Sequence, residues 1–162
     1  MWTFHGLPAH ILLNHSVVVL GPLTAILLIL CALWPAARRR LIWLVLALAV
    51  ITLVVTPLTI KAGEWLGDRI AGTPYETPAA DAHMGLGETA IYFSVALAIA
   101  AALLAGLHVL LERDRAVQPV LPWLVAAVVI AASAAMLFQV YRIGESGARA
   151  VWGDLLTSSG NQ

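Results

Sequence analysis

The chain has 162 residues, of which 61% are hydrophobic and only 11% charged, and its nine basic and nine acidic residues cancel. A soluble domain carries roughly 25% charged residues, so the composition argues against a free-standing soluble enzyme, a disordered regulator or a nucleic-acid binder, and no net field attracts polyanions. The mean hydropathy of +0.91 marks a membrane protein, and the single cysteine, Cys31, excludes an intramolecular disulfide and every multi-cysteine zinc or iron–sulfur motif.

Residues 1–15 lack the basic start and small-residue cleavage pattern of a signal peptide. They are expected to lie at the membrane interface ahead of the first span. A helical span needs about 20 apolar residues. Four stretches reach that length, at about 16–34, 41–60, 89–111 and 120–141. Each is apolar all round rather than along one stripe, and none alternates with the period of two that a membrane β-barrel requires. Pro35 with Arg38, Arg39 and Arg40 separates the first pair of spans, and residues 112–118 separate the second pair. Between the pairs, Gly63, Gly67, Gly72, Pro74 and Pro78 punctuate a long loop, and Pro57 is expected to kink the second span. The expected fold is an all-α integral membrane four-helix bundle, one domain over residues 1–162.

Lysine and arginine counts in short loops set orientation. Arg38, Arg39, Arg40, Arg113 and Arg115 face only Glu112 and Asp114 on one side. On the other, Lys61, Arg69, Arg142 and Arg149 are outnumbered by Glu64, Asp68, Glu76, Asp81, Glu88, Glu145 and Asp154. The arginine-rich loops are therefore placed in the cytoplasm and both termini outside, in a bacterial inner membrane. Trp2, Phe4, Trp65, Tyr75 and Trp152 are expected as outer interface anchors, and Trp34, Trp43 and Trp123 as inner ones.

The two halves look like pseudo-repeated helical hairpins. Each opens on a histidine, His10 or His83, and each closes on a basic–apolar–Gly–Glu run, Lys61–Glu64 or Arg142–Glu145. Four of the five histidines, His5, His10, His15 and His83, fall on the outer side with Glu64, Glu88 and Glu145. Imidazoles at helix ends hydrogen-bond backbone carbonyls or lipid headgroups as readily as they bind metals, and His5 and His108 are read in that structural way. The others admit a haem b with axial ligands from separate hairpins, His10 or His15 and His83, with Arg142 or Arg149 on the propionates. Gly85 and Gly87 were expected to make room for the macrocycle. A second reading is a copper, zinc or iron ion held by His10, His15, His83, Glu64, Glu88 and Glu145. Against it, His10 and His15 stand five residues apart, about 140° around a helix, and the same holds for His83 and Glu88. A third reading is a non-catalytic subunit that packs on a larger membrane complex through its alanine-rich third and fourth spans. No phosphate-binding loop, dinucleotide fingerprint or nucleophile elbow is present, and no charge lines the middle of a span, which disfavours a pump or channel.

At Gly6-Leu7-Pro8-Ala9-His10-Ile11-Leu12-Leu13-Asn14-His15 the sequence resembles the bacterial four-helix membrane proteins of the domain-of-unknown-function 2231 type. That family opens on Gly-Leu-Pro-x-His-x-x-x-x-His, has a lone histidine before its third span (here His83), and a glycine-rich stretch after its fourth (here Gly144–Gly147). The resemblance covers most of the chain. Two positions depart: the usual proline after the first histidine is Ile11, and the usual Tyr-x-His-Gly ending reads Ala150-Val151-Trp152-Gly153. Members are found fused to, or beside, Rieske and c-type cytochrome domains. The resemblance thus implies a lipid-embedded electron carrier or redox-complex subunit, with redox proteins as partners, rather than an enzyme.

Overall fold

The structure is a computed structural model that describes residues 2–73, 75–113 and 117–159, leaving aside the side chains of Phe4 and residues 154–159. Pro74, Asp114, Arg115 and the side chains of Phe4 and Asp154, all used above, lie outside the described residues. Five helices follow a short hairpin: α1 (Ala9–Leu33), α2 (Pro35–Ile70), α3 (Pro78–Glu88), α4 (Ala90–Glu112) and α5 (Val120–Ser159). The chain is an all-α four-helix bundle in which α3 and α4 occupy one corner in succession. Helix α1 packs on α2 and α5, and α4 packs on the same two, so α1 and α4 are diagonal.

The hairpin pairs β1 (Thr3–Phe4) antiparallel with β2 (Leu7–Pro8). Both residues of its turn have positive φ, His5 at 49° and Gly6 at 82°, as a two-residue type I′ turn requires. It leads straight into α1, which starts seven residues before the expected span. Trp34 alone joins α1 to α2, and Pro35 opens α2, where its missing N–H costs nothing. Helix α2 continues through Pro57 to Ile70.

Four helical segments are long and apolar enough to cross a membrane. Large apolar side chains cover their outside, Val19, Ile26, Val54, Ile99 and Leu124 among them. A continuous apolar jacket of this kind is incompatible with water, so the molecule is a multi-pass membrane protein with lipid-facing helices. Between helices, lipid tails are as apolar as leucine, and association relies on close packing of small residues. The core seam is built accordingly from Ala25, Ala49, Ala100 and Ala101 around Leu28, Ile42, Leu97 and Leu104. Gly21 brings α1 against Met136 of α5, where a Cβ on the glycine would collide with the methionine methyl.

At 36 and 40 residues, α2 and α5 are about 54 and 60 Å long, whereas the hydrocarbon core is about 30 Å thick. Their apolar residues lie toward the arginine end, so the excess projects from the opposite end. There α3 packs along α5. A Thr77 side-chain cap at the Ala80 N–H and Pro78 in the first turn start α3. The break between α3 and α4 falls at Thr89, whose hydroxyl donates to the Leu86 carbonyl at 2.7 Å. Gln139 of α5, 1% exposed, fills that break: its Nε2 donates to the Leu86 carbonyl at 3.1 Å and to Thr89 Oγ1 at 2.7 Å.

Candidate functional site

Two imidazoles meet at the histidine end of the bundle. The ring centroids of His10, on the first turn of α1, and His83, on α3, are 6.5 Å apart with planes at 81°. The elements that carry them are diagonal, so the rings approach each other across the mouth. Each leans on the neighbouring long helix. His10 Nδ1 lies 3.0 Å from the Thr59 carbonyl of α2, and its ring rests on Gly63, where a Cβ would come within 2.9 Å of Nδ1. His83 Nδ1 lies 3.0 Å from Ser146 Oγ of α5, and its ring rests on Gly147, where a Cβ would come within 3.1 Å of Cε1.

The hydrogen bonds fix which nitrogen is free. A carbonyl only accepts, so His10 Nδ1 carries the proton that goes to Thr59. The Ser146 hydroxyl spends its one proton on the Ile143 carbonyl, 2.9 Å away. Toward His83 it therefore accepts, and His83 Nδ1 donates. The network assigns both neutral rings the Nδ1–H tautomer, with the lone pair on Nε2. Burial pushes the His83 pKa below the ordinary histidine value, and the charge of a protonated His10 pushes it the same way. A hydrogen bond to the Ile143 backbone opposes both.

The rest of the expected donor set is dispersed. His15 is exposed and turns back onto its own helix, with Nδ1 2.6 Å from the Ile11 carbonyl. Five residues of separation from His10 turn the two rings to different sides. Glu64 and Glu88 are exposed. Glu145 is bound by Arg149 at 2.6 Å on the surface of α5. Arg142 lies over the Phe138 ring at 5.8 Å. Among the described residues, no group of three or more histidines, cysteines, aspartates or glutamates is gathered closely enough to hold a metal ion. His108 sits at the opposite end, 4% exposed, edge-on to Trp43 and with Nε2 3.7 Å from Glu112.

Gly85 and Gly87 border open space rather than a ring. The glycines that matter are Gly63 and Gly147, and this alters the repeat. Aligning the basic–apolar–Gly–Glu runs equates Gly63 with Gly144, yet Gly144 is exposed with open space beside it. In three dimensions Thr59 and Gly63 correspond to Ile143 and Gly147. In each pair a backbone group meets the imidazole, and four residues on, a turn later on the same face, a glycine seats the ring. Ser146, Thr59 and Met84 belong to the site and carried no sequence signal of their own. Met84 Sδ packs on Gly67 at 2.6 Å from where a Cβ would stand, one turn of α2 beyond Gly63. Comparison with protein-family models, curated proteins and solved structures finds no match.

Proposed function

We propose that the protein is a haem-b-binding membrane electron carrier or redox-complex subunit, in which His10 and His83 would hold the haem iron. One observation carries the reading: two imidazoles from separate hairpins face each other with both Nδ1 atoms satisfied and both Nε2 lone pairs free. Metal-binding histidines are held in this way, with the second nitrogen donating to a carbonyl or other acceptor. The spacing fits. A metal–imidazole bond is about 2 Å, so two imidazoles that held one metal atom between them would have centroids about 6 Å apart, close to the observed 6.5 Å. The donor count fits as well, because the macrocycle supplies four nitrogens and asks the protein for only two. Bound there, haem supplies reversible one-electron transfer. The chain's part is to hold the imidazoles, through Thr59 and Ser146, and to let the rings lie close to α2 and α5 at Gly63 and Gly147. Arg142 and Arg149, the cations nearest in sequence to Gly147, would reach the propionates only by leaving Phe138 and Glu145.

On this reading the histidine end faces outward from a bacterial inner membrane, the orientation the arginine asymmetry favours, and the redox partner docks there. The test is purification with haem supplied. One b-type haem per chain is expected, lost in His10→Ala and His83→Ala and kept in His108→Ala.

Met84 favours a second reading. It follows His83 in sequence and its thioether packs on Gly67, one turn of α2 beyond the glycine that seats His10; a thioether with imidazoles is a soft donor set, suited to Cu(I) rather than to zinc or iron. Metal analysis of the same preparation separates the two: a colourless protein holding stoichiometric copper supports the second. A colourless, metal-free protein that co-purifies with a stoichiometric partner supports an accessory subunit.

A further inference from the structure

The arginine end carries a different unsatisfied group. Arg38 lies in the first turn of α2, and its backbone N–H donates to the Trp34 carbonyl at 3.0 Å. Its side chain folds against the bundle, within electrostatic reach of Cys31 on α1. Nε is buried and has no hydrogen-bond partner. Arg39 and Arg40 beside it are exposed. Among the described residues no carboxylate comes within ion-pair distance of these arginines: Glu112 is turned to His108 and Glu145 to Arg149. The chain itself covers Nε and so fixes the side chain, while the terminal nitrogens are not buried and have no acceptor within the chain, so one from outside is called for.

Its chemistry and depth can be read. The two terminal nitrogens of a guanidinium make a two-pronged bond to paired oxygens, the geometry of carboxylate and phosphate. Trp34 and Trp43, each 58% exposed, flank Arg38 in sequence and mark the level of the lipid headgroups. Helix α2 also starts here without an acidic residue or a side-chain cap, so its positive end adds to the field. At that depth the available anion is a phospholipid phosphate, and three consecutive arginines favour a lipid with net negative charge.

We propose that Arg38 holds the phosphate of one anionic phospholipid at the α1–α2 corner, through its terminal nitrogens. The site is independent of the histidine end and of any cofactor bound there.

The test is native mass spectrometry of the full chain released from vesicles of equal phosphatidylglycerol and phosphatidylcholine. The expected result is one retained phosphatidylglycerol, enriched about tenfold over phosphatidylcholine. Arg38→Gln abolishes the enrichment. Arg38→Lys, which keeps the charge and loses the fork, abolishes most of it, whereas Arg39→Gln keeps most of it. Circular dichroism and gel filtration confirm that each variant is folded, and Arg38→Lys serves if Arg38→Gln is not. Equal retention of the two lipids, or undiminished enrichment in both Arg38 variants, overturns the proposal. Displacement of the lipid by millimolar inorganic phosphate also overturns it, since that would define a free-phosphate site.

Discussion

Ser146 shows how much one hydroxyl determines. Its proton is committed to Ile143, which leaves only its lone pairs for His83 and so decides the tautomer of that ring. Ser146→Ala removes the acceptor and frees His83 to present either nitrogen. A lost second-layer partner of this kind lowers metal affinity about 10- to 100-fold, and haem titration of Ser146→Ala is expected to show a loss in that range. The glycines rank by geometry. A Cβ at Gly63 falls 2.9 Å from His10 Nδ1, closer than the 3.1 Å approach of a Gly147 Cβ to His83. Haem retention should therefore suffer more in Gly63→Ala than in Gly147→Ala. Acidity follows from the lowered His83 pKa. Above about pH 6.5, the ordinary histidine value, folded and unfolded chains both hold this ring neutral and it contributes no pH dependence. As pH falls from there through the lower folded value, the unfolded state binds the proton first and stability is lost. Thermal melts of haem-free protein from pH 7.5 to 5 should show that loss, and His83→Ala should flatten it.

At the level of elements, the apolar runs made the four spans legible, because lipid exposure demands about 20 uncharged residues and little else resembles that. Both ends of α4, the end of α1 and the start of α5 fell within a residue of the expected spans, but the start of α1 and the far ends of α2 and α5 were not legible. Helices α2 and α5 pass from apolar to polar residues without changing conformation, so hydropathy stops near Ile60 and Tyr141 while the helices continue to Ile70 and Ser159. The break at Thr89 has no proline, and it rests on Gln139, a residue some 50 positions away in sequence. Gln139→Leu leaves the end of α3 without that donor while keeping the volume. Losing a buried hydrogen-bond partner costs about 1–3 kcal/mol, and a lower melting temperature in detergent is the expected readout. The site was legible by halves. His10 and His83 stood out because ionisable groups are rare in this sequence; His15 and Glu88 were kept as candidates beside them despite a five-residue spacing that turns each to another side, and both are exposed. The paired contacts were hidden, because a text alignment matches Gly63 to Gly144, whereas packing matches a backbone group and the glycine four residues beyond it.

For the whole molecule, the two ends differ in chemistry. One carries exposed arginines and interfacial tryptophans; the other projects α2, α3 and α5 beyond the apolar belt and encloses the imidazole pair. Cys31 is buried, so single cysteines placed elsewhere report topology without background. A membrane-impermeant thiol reagent applied to intact cells is expected to label Glu76→Cys and not Arg39→Cys; the reverse pattern would invert the orientation. The central claim is that the bundle's mouth binds haem between its two halves. It is tested most directly by the absorption spectrum and pyridine haemochrome of purified protein with and without added haemin. The account requires a Soret band from one b-type haem per chain, and a strongly anisotropic low-spin ferric signal from near-perpendicular imidazoles. Both disappear in His10→Ala and in His83→Ala. A wild-type protein that stays colourless after haemin is added, or haem that survives loss of either histidine, would contradict it.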